Sequence, residues 1–293
     1  QGMAFGVYVP LAWIYIAEQV PRQYLSVACS YVTASFFVGV LFSNAFFVWL
    51  NSSMTPVQLL DYGWRVPFAV AALLSFLPLL AWRFINESPF FIEMQTRKPL
   101  RGVRQPLTLL FKYCKHSIFL GLLLSLMIAS ITTVVALLLP SLIELSFSLD
   151  NDLFVFSHSL GIVFMIFGCV FYGIVSNHEN FGKILVFGSI LLIGQIFAFY
   201  YHLQAGGDYI LIMYALLGFF AGIVGMIPAI FVQLFPTNVR LTGLALSYNV
   251  MYAIVGGLLP FALGYATSYI SFSPALYIAF IGAMSIMVGL YFY

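Results

Sequence analysis

An all-α integral membrane protein is the fold class this sequence predicts, and two observations predict it. Charge is nearly absent: 7% of the 293 residues are Asp, Glu, Lys or Arg, 63% are hydrophobic, and the mean hydropathy is +1.05. A domain dissolved in water carries roughly 25% charged residues, so the solvent of this chain is lipid. The apolar residues also come in long unbroken runs, whereas a membrane barrel needs short segments of alternating polarity. A helix closes its backbone hydrogen bonds within itself and crosses hydrocarbon in that form.

A hydrocarbon core about 30 Å thick takes about 20 apolar residues per helix. Runs that qualify are 2–17, 25–50, 65–85, 117–142, 153–176, 183–202, 209–234, 241–269 and 274–293. Several exceed the minimum, which permits tilt. Arg22, then Arg83 to Lys115, then Lys183, then Arg240 fall in alternate connections, and Arg65 alone falls on the other side. The remaining connections carry Asp61, Glu144, Asp150, Asp152 and Asp208. The positive-inside rule makes the basic connections cytoplasmic. The first run therefore enters from outside, and the last ends in the cytoplasm.

Gln1 opens almost directly into the first run with no recognisable signal peptide, and the chain reads as one that has lost an N-terminal portion. The longest polar segment, 87–116, separates three helices in 1–86 from six in 117–293. It is expected to be a cytoplasmic linker, in which Pro89, Pro99 and Pro106 interrupt any single long helix and "PLTLLFKY" forms a short amphipathic turn. Three more helices, about a hundred residues by the span arithmetic, would give six plus six with both termini inside. Many secondary transporters have that layout, with the solute site between the halves near mid-membrane.

The excluded classes follow from what is missing. Cys29, Cys114 and Cys169 have no metal-ligand spacing and form no disulfide framework. No Gly-Lys-Ser/Thr loop follows a strand, and no nucleophile cluster is present. The sequence predicts no cofactor, no metal, no ATP site, no enzyme chemistry and no nucleic-acid partner. Its expected partners are a small-molecule solute, a proton as coupling ion, and membrane lipid around a monomer.

Several stretches together resemble one family. "YGWRVPF" (62–68) is similar to the Trp-Gly-Trp-Arg-Ile-Pro-Phe seam before the sixth helix of the metabolite:proton symporters, within the major facilitator superfamily. "ESPFF" (87–91) resembles the Glu-Ser-Pro-x-Phe that closes that helix. "QLFPTNVRLTGLALSYNV" (233–250) resembles the Glu-x-Phe-Pro-Thr-x-x-Arg loop between helices ten and eleven, and "GGLLP" (256–260) the Gly-Gly-x-x-Pro that follows. "QGMAFG" and "AEQVP" resemble the fourth helix, with Glu18 and Pro21 at motif positions. The resemblance covers the whole chain as helices four to twelve, nine of an expected twelve. It implies uptake of a zwitterion such as proline or betaine, or of a small organic anion.

Three positions depart from that pattern. Where the family has Gly-Gly-Glu inside the fourth helix, this chain has Gly6, Val7 and Tyr8. Asn177 stands where an aspartate is expected between helices eight and nine, and Gln233 replaces an acid before "FPT". Each expected carboxylate is neutral here. An uncoupled facilitator and a non-transporting sensor of the same fold therefore stand beside proton symport.

Candidate residues fall into two sets. Alternating access rocks one bundle against the other, so charges near cytoplasmic helix ends can form a breakable gate: Glu18, Arg22, Glu87, Lys183 and Arg240, with Asn177 and Gln233 at the altered motif positions. Retention of topology by positive charge is the alternative for the basic ones. At the outer seam, Arg65 can pair with Asp61 or with loop carbonyls, Gly63 allows a turn, and Pro67 suits a first helical turn. For solute, Tyr248 and Tyr252 lie i, i+4 on one helical face and can hold a quaternary ammonium by cation–π attraction. Asn249 can bond a carboxylate. Tyr8, Ser35, Asn44, Thr132 and Thr133 are further polar positions inside helices, although threonine also bonds its own helix. His158 lies about 9 Å inside the outer surface. An intramembrane ionisable group is a functional candidate, while the hydroxyls of "FSHS" offer to satisfy a neutral ring.

Overall fold

Long apolar runs broken by Pro, Gly and polar clusters fold as helices joined by short turns. A computed structural model describes residues 2–81, 87–88, 106–144, 146–147, 151–206 and 209–293. Helix α1 is Gly2–Gln19 and α2 is Leu25–Ser53. The short helices α3 (Pro56–Asp61), α4 (Val66–Leu74) and α5 (Phe76–Ala81) follow. Helix α6 (Pro106–Tyr113) leads into α7 (Lys115–Ile131), which passes through a π-helical stretch, Thr132–Leu138, into α8 (Leu139–Glu144). Next come α9 (Asn151–His178) and α10 (Phe181–Gln204). Helix α11 (Ile210–Ala221) runs through a 3-10 turn, Gly222–Gly225, into α12 (Ile227–Gln233). Helices α13 (Arg240–Tyr269) and α14 (Ser273–Phe292) complete the chain. No strand occurs among the described residues.

Seven helical stretches among the described residues are long and apolar enough to cross a membrane: Arg22–Ser53, Lys115–Ile143, Leu153–His178, Phe181–Gln204, Ile210–Gln233, Arg240–Tyr269 and Ser273–Phe292. They account for all but the first and third of the expected runs. Helix α1 occupies the first run with 18 residues. The third is interrupted within its described residues. Its apolar stretch is Gly63–Pro78, and α4 stops at Leu74. The break has a cause: Pro78 has no N–H to give to the carbonyl four residues before it, that of Leu74. Most of the expected linker, 89–105, lies outside the described residues, and its end forms the expected short helix α6.

The connection from Thr55 to Pro67 folds as a capped turn. Thr55 and Gln58 form a reciprocal capping box on α3, and Pro67 sits in the first turn of α4. Of the two partners open to Arg65, the structure uses a carbonyl: its Nη1 donates to the Asp61 backbone oxygen at 2.6 Å, and the guanidinium lies 4.2 Å from the Trp64 ring centroid. Gly63 is required by proximity, because a β-carbon there would lie 2.9 Å from Met54 Sδ.

Lipid-type packing holds the helices together, with small residues letting backbones approach. Helix α9 packs on α11 through Gly161 and Gly168, which face Gly218 and Gly222; a β-carbon on Gly222 would lie 2.5 Å from the Gly168 carbonyl carbon. Gly218 and Gly222 thus serve as points of backbone contact. Helices α10 and α14 pack likewise at Gly182, Gly282 and Gly289. Gly256 and Gly257 differ: nothing lies within 4 Å of where their β-carbons would be. Outward faces are apolar, as with Phe261, 80% exposed, and Leu258, 66% exposed.

Candidate functional site

Several of the polar candidates meet where α1 and α2 pack on α9, α12 and α13. Two seams make up this interface, α1 against α13 and α2 against α9. Both run antiparallel, so the basic end of each helix meets the basic end of its partner.

At the basic end of the first seam, Arg240 Nη1 lies 2.8 Å from Glu18 Oε1. The two side chains are 19% and 10% exposed. Ser88 Oγ donates to the other carboxylate oxygen at 2.5 Å, and Arg240 Nε donates to the Phe235 carbonyl at 3.2 Å. Glu18 comes from α1 and Arg240 from α13, 222 residues apart. Helix α13 starts at Arg240 because "FPTN" ends α12 and Val239 turns the chain.

Further in, the Trp13 ring meets Tyr248 edge-on, with centroids 5.6 Å apart, and also contacts Phe36 and Phe231. Its indole N–H donates to Thr33 Oγ1 at 3.2 Å. Tyr248 and Tyr252 lie with ring centroids 4.2 Å apart, and the Tyr252 hydroxyl is 3.2 Å from Thr132 Oγ1. Thr132 also donates to its own helix at Ile128. The structure therefore joins Tyr248, Tyr252 and Thr132 into one cluster and adds Trp13 and Thr33. The two tyrosine faces cover each other in this conformation.

Asn249 and His158 have a shared physical reason for their positions. Pro10 lies inside α1 and has no N–H for the carbonyl of Gly6, four residues earlier. Asn249 Nδ2 donates to that carbonyl at 2.8 Å, and also to Ala245 on its own helix. Gly6 permits the approach, since a β-carbon there would strike Asn249 Oδ1. Pro140 follows the π-helical stretch and withdraws an N–H from the turn that holds Ala136, and His158 Nε2 donates to the Ala136 carbonyl at 3.2 Å. A bare carbonyl in hydrocarbon costs several kcal/mol, so the donors that Asn249 and His158 supply from neighbouring helices stabilise these two turns.

The second seam is neutral. His158 Nδ1 accepts from Asn44 Nδ2 at 3.4 Å, and that amide donates also to Ser159 Oγ at 3.1 Å. The imidazole is hydrogen-bonded on both nitrogens, to Ala136 and Asn44 rather than to the adjacent serine hydroxyls. Toward the basic end, Gly173 of α9 presses on Ser30 of α2, where a β-carbon would overlap the Ser30 side chain. At the end itself Asn177 Nδ2 donates to the Gln23 carbonyl.

Other sequence candidates stand apart from these clusters. Tyr8 is 60% exposed. Ser35 is exposed and donates to Val32 of its own helix, Thr133 is buried, and Gln233 donates to Ala229 within α12. Lys183 Nζ lies 5.8 Å from the Tyr293 ring centroid, and Arg22 and Glu87 are exposed. Sequence reasoning missed Trp13, Thr33, Ser88, Ser159 and the two freed carbonyls. Pro10 and Pro140 were the readable signal, since a proline inside a helix takes an N–H away from the preceding turn.

Comparison with known proteins comes next. The family model described as Major Facilitator Superfamily matches residues 1–260. Similar curated proteins include the inner membrane metabolite transport protein YhjE of Escherichia coli strain K12, 25% identical over 98% of this chain and 67% of that protein. The proline/betaine transporter of the same organism is 24% identical over 99% of this chain and 60% of that protein. A putative proline/betaine transporter of Staphylococcus aureus strain COL is 23% identical over 98% and 62%. A solved structure of the proton:xylose symporter XylE bound to 6-bromo-6-deoxy-D-glucose superposes with a TM-score of 0.77 at 18% identity, over 97% of this chain and 66% of that one. That likeness is one of fold. This chain spans 60 to 67% of the length of these curated relatives.

Proposed function

Because the chain belongs to the Major Facilitator Superfamily, we propose that it works within a secondary transporter that moves a small polar metabolite across the inner membrane by alternating access, coupled to protons. The solute is a zwitterion or a small organic anion. Residues 1–86 serve as part of one bundle, 117–293 as the other, and 87–116 as their cytoplasmic link; the unit is a monomer in lipid. Curated relatives named for metabolite and proline/betaine transport support the solute class.

The observation that carries this reading is the Glu18–Arg240 pair. It joins the two bundles at the end where the basic connections lie, with little exposure. Rocking the bundles apart must break it, and breaking it exposes both charges to water, which solvates them. A contact of this kind opens and closes with modest cost, as a gate requires. Solute binding falls to the cluster of Tyr248, Tyr252 and Thr132, with Asn249 and Trp13 beside it. Opening of the first seam would lift Trp13 away from Tyr248 and leave a place beside the tyrosine pair for a quaternary ammonium.

The test is uptake of labelled proline and betaine by the protein in proteoliposomes under an inward proton gradient. Accumulation that collapses on adding an uncoupler supports symport. Asn249→Ala is expected to weaken half-saturation at least about fivefold, or about 1 kcal/mol, and an unchanged value removes that residue from the site. An uncoupled facilitator is the second reading, favoured by Tyr8, Asn177 and Gln233 in place of carboxylates. Downhill uptake indifferent to the uncoupler would establish it.

A further inference from the structure

The hydrogen-bond arithmetic at His158 points beyond a structural plug. Asn44 Nδ2 carries two hydrogens, and one goes to Ser159 Oγ at 3.1 Å while the other faces His158 Nδ1 at 3.4 Å. Nε2 must carry the ring proton, since its partner, the Ala136 carbonyl, only accepts. Nδ1 is therefore bare in this conformation. A second proton on the ring would aim N–H at N–H across the α2–α9 seam.

The surroundings offer that second proton no charge partner. Asn44 faces the ring from α2, the Ala136 carbonyl from the π-helical stretch, the edge of Tyr214 from α11 with ring centroids 5.6 Å apart, and Ser159 stands beside it on α9. Tyr214 is the titratable neighbour, and its buried hydroxyl has no hydrogen-bond partner. Among the described side chains, no carboxylate or cation contacts the ring. Protonation thus requires the Asn44 amide to turn over or α2 and α9 to part, and either event severs the amide's bond to Ser159.

We infer that His158 is the proton-binding residue of this chain, and that the occupancy of its Nδ1 is read directly by Asn44 across the seam between the bundles. A proton that binds the parted seam better than the closed one shifts the population toward parting, by linkage. Histidine is the side chain whose ordinary titration lies near neutral pH, which suits a membrane poised across a modest pH gradient. The π-helical stretch and Pro140 hold the other nitrogen, so the ring keeps its place while Nδ1 alone changes state. The inference rests on the proton-coupled reading above and replaces the carboxylate that Tyr8 does not supply.

Two measurements test it. In proteoliposomes with labelled proline, His158→Gln keeps an amide donor for Ala136 and an oxygen acceptor for Asn44 but does not titrate. It is expected to reduce gradient-driven accumulation at least tenfold while leaving gradient-free proline exchange within twofold. Accumulation by His158→Gln that stays gradient-driven overturns the inference and leaves proton symport standing. If the parent protein shows no gradient-driven uptake of proline, symport of that solute fails, and the second measurement decides about His158. It follows the imidazole nitrogen resonances of the protein in lipid between pH 5 and 8.5, with the His158 signal identified by its loss in His158→Gln. The expected result is a change from singly to doubly protonated ring accompanied by movement of the Asn44 side-chain amide signal. A ring that stays neutral throughout, or one that titrates without disturbing Asn44, overturns the inference.

Discussion

The two helix seams, α1–α13 and α2–α9, are built from opposite materials. Along α1 and α13 the contacts are a salt bridge, a tryptophan–tyrosine stack and an amide on a freed carbonyl. Along α2 and α9 they are a glycine pressed on a serine, an asparagine on a backbone carbonyl, and a neutral imidazole–amide pair. The first set reaches across with long side chains, which can part and re-form without moving backbone. The second brings backbones together, and close-packed backbones resist separation. We read the basic end of α1–α13 as the part that opens and the Gly173–Ser30 contact of α2–α9 as the point about which it turns, with the His158–Asn44 pair at the far end of that second seam.

Substitutions on each side test that division. Gly173→Leu should be the most damaging, because its β-carbon falls on Ser30 and the rest of the side chain has no room. Overpacking costs about 1 to 3 kcal/mol or more. Loss of monodisperse protein in size-exclusion chromatography is expected, and partial recovery of Gly173→Ala by Ser30→Gly would tie the effect to this contact. Normal behaviour of Gly173→Leu would dissolve the pivot.

Arg240→Ala should come next, at about 3 kcal/mol for a largely buried charge left alone. Thermal melting should show the loss, and the exchange of charges in Glu18→Arg with Arg240→Glu should recover part of it. No recovery would mean that Arg240 serves its Phe235 carbonyl rather than the pair.

Asn249→Leu is expected to cost about 0.5 to 2 kcal/mol through the bared Gly6 carbonyl. Pro10→Ala should rescue it, since an alanine at that position returns the missing N–H to α1. Additivity of the two changes in melting experiments would refute the explanation. The smallest effect belongs to Gly256→Ala, which meets nothing within 4 Å. It should move stability by less than about 0.5 kcal/mol.

Much of the architecture was legible because lipid leaves few choices. Unbroken apolar runs had to be helices. The third run carries a break that its length does not reveal, at Pro78, where α4 stops at Leu74 and α5 follows. The seams were harder. Arg240 reaching a carboxylate of the other bundle could be anticipated from its place after "FPTN", but Ser88 as its brace could not. His158 and Asn249 were recognised as polar intruders, whereas their partners sit 114 and 243 residues away in sequence. Period and motif say which face a residue occupies, and they do not say which distant helix that face meets.

The carbonyls stripped by Pro10 and Pro140 have a mechanical consequence. Each leaves one fixed negative pole in oil, reachable by one donor at one height on the neighbouring rod. Sliding α13 along α1 by a single step would carry the Asn249 amide away from that pole, whereas rotation about the contact would keep it engaged. Such joints let helices swivel and forbid them to creep.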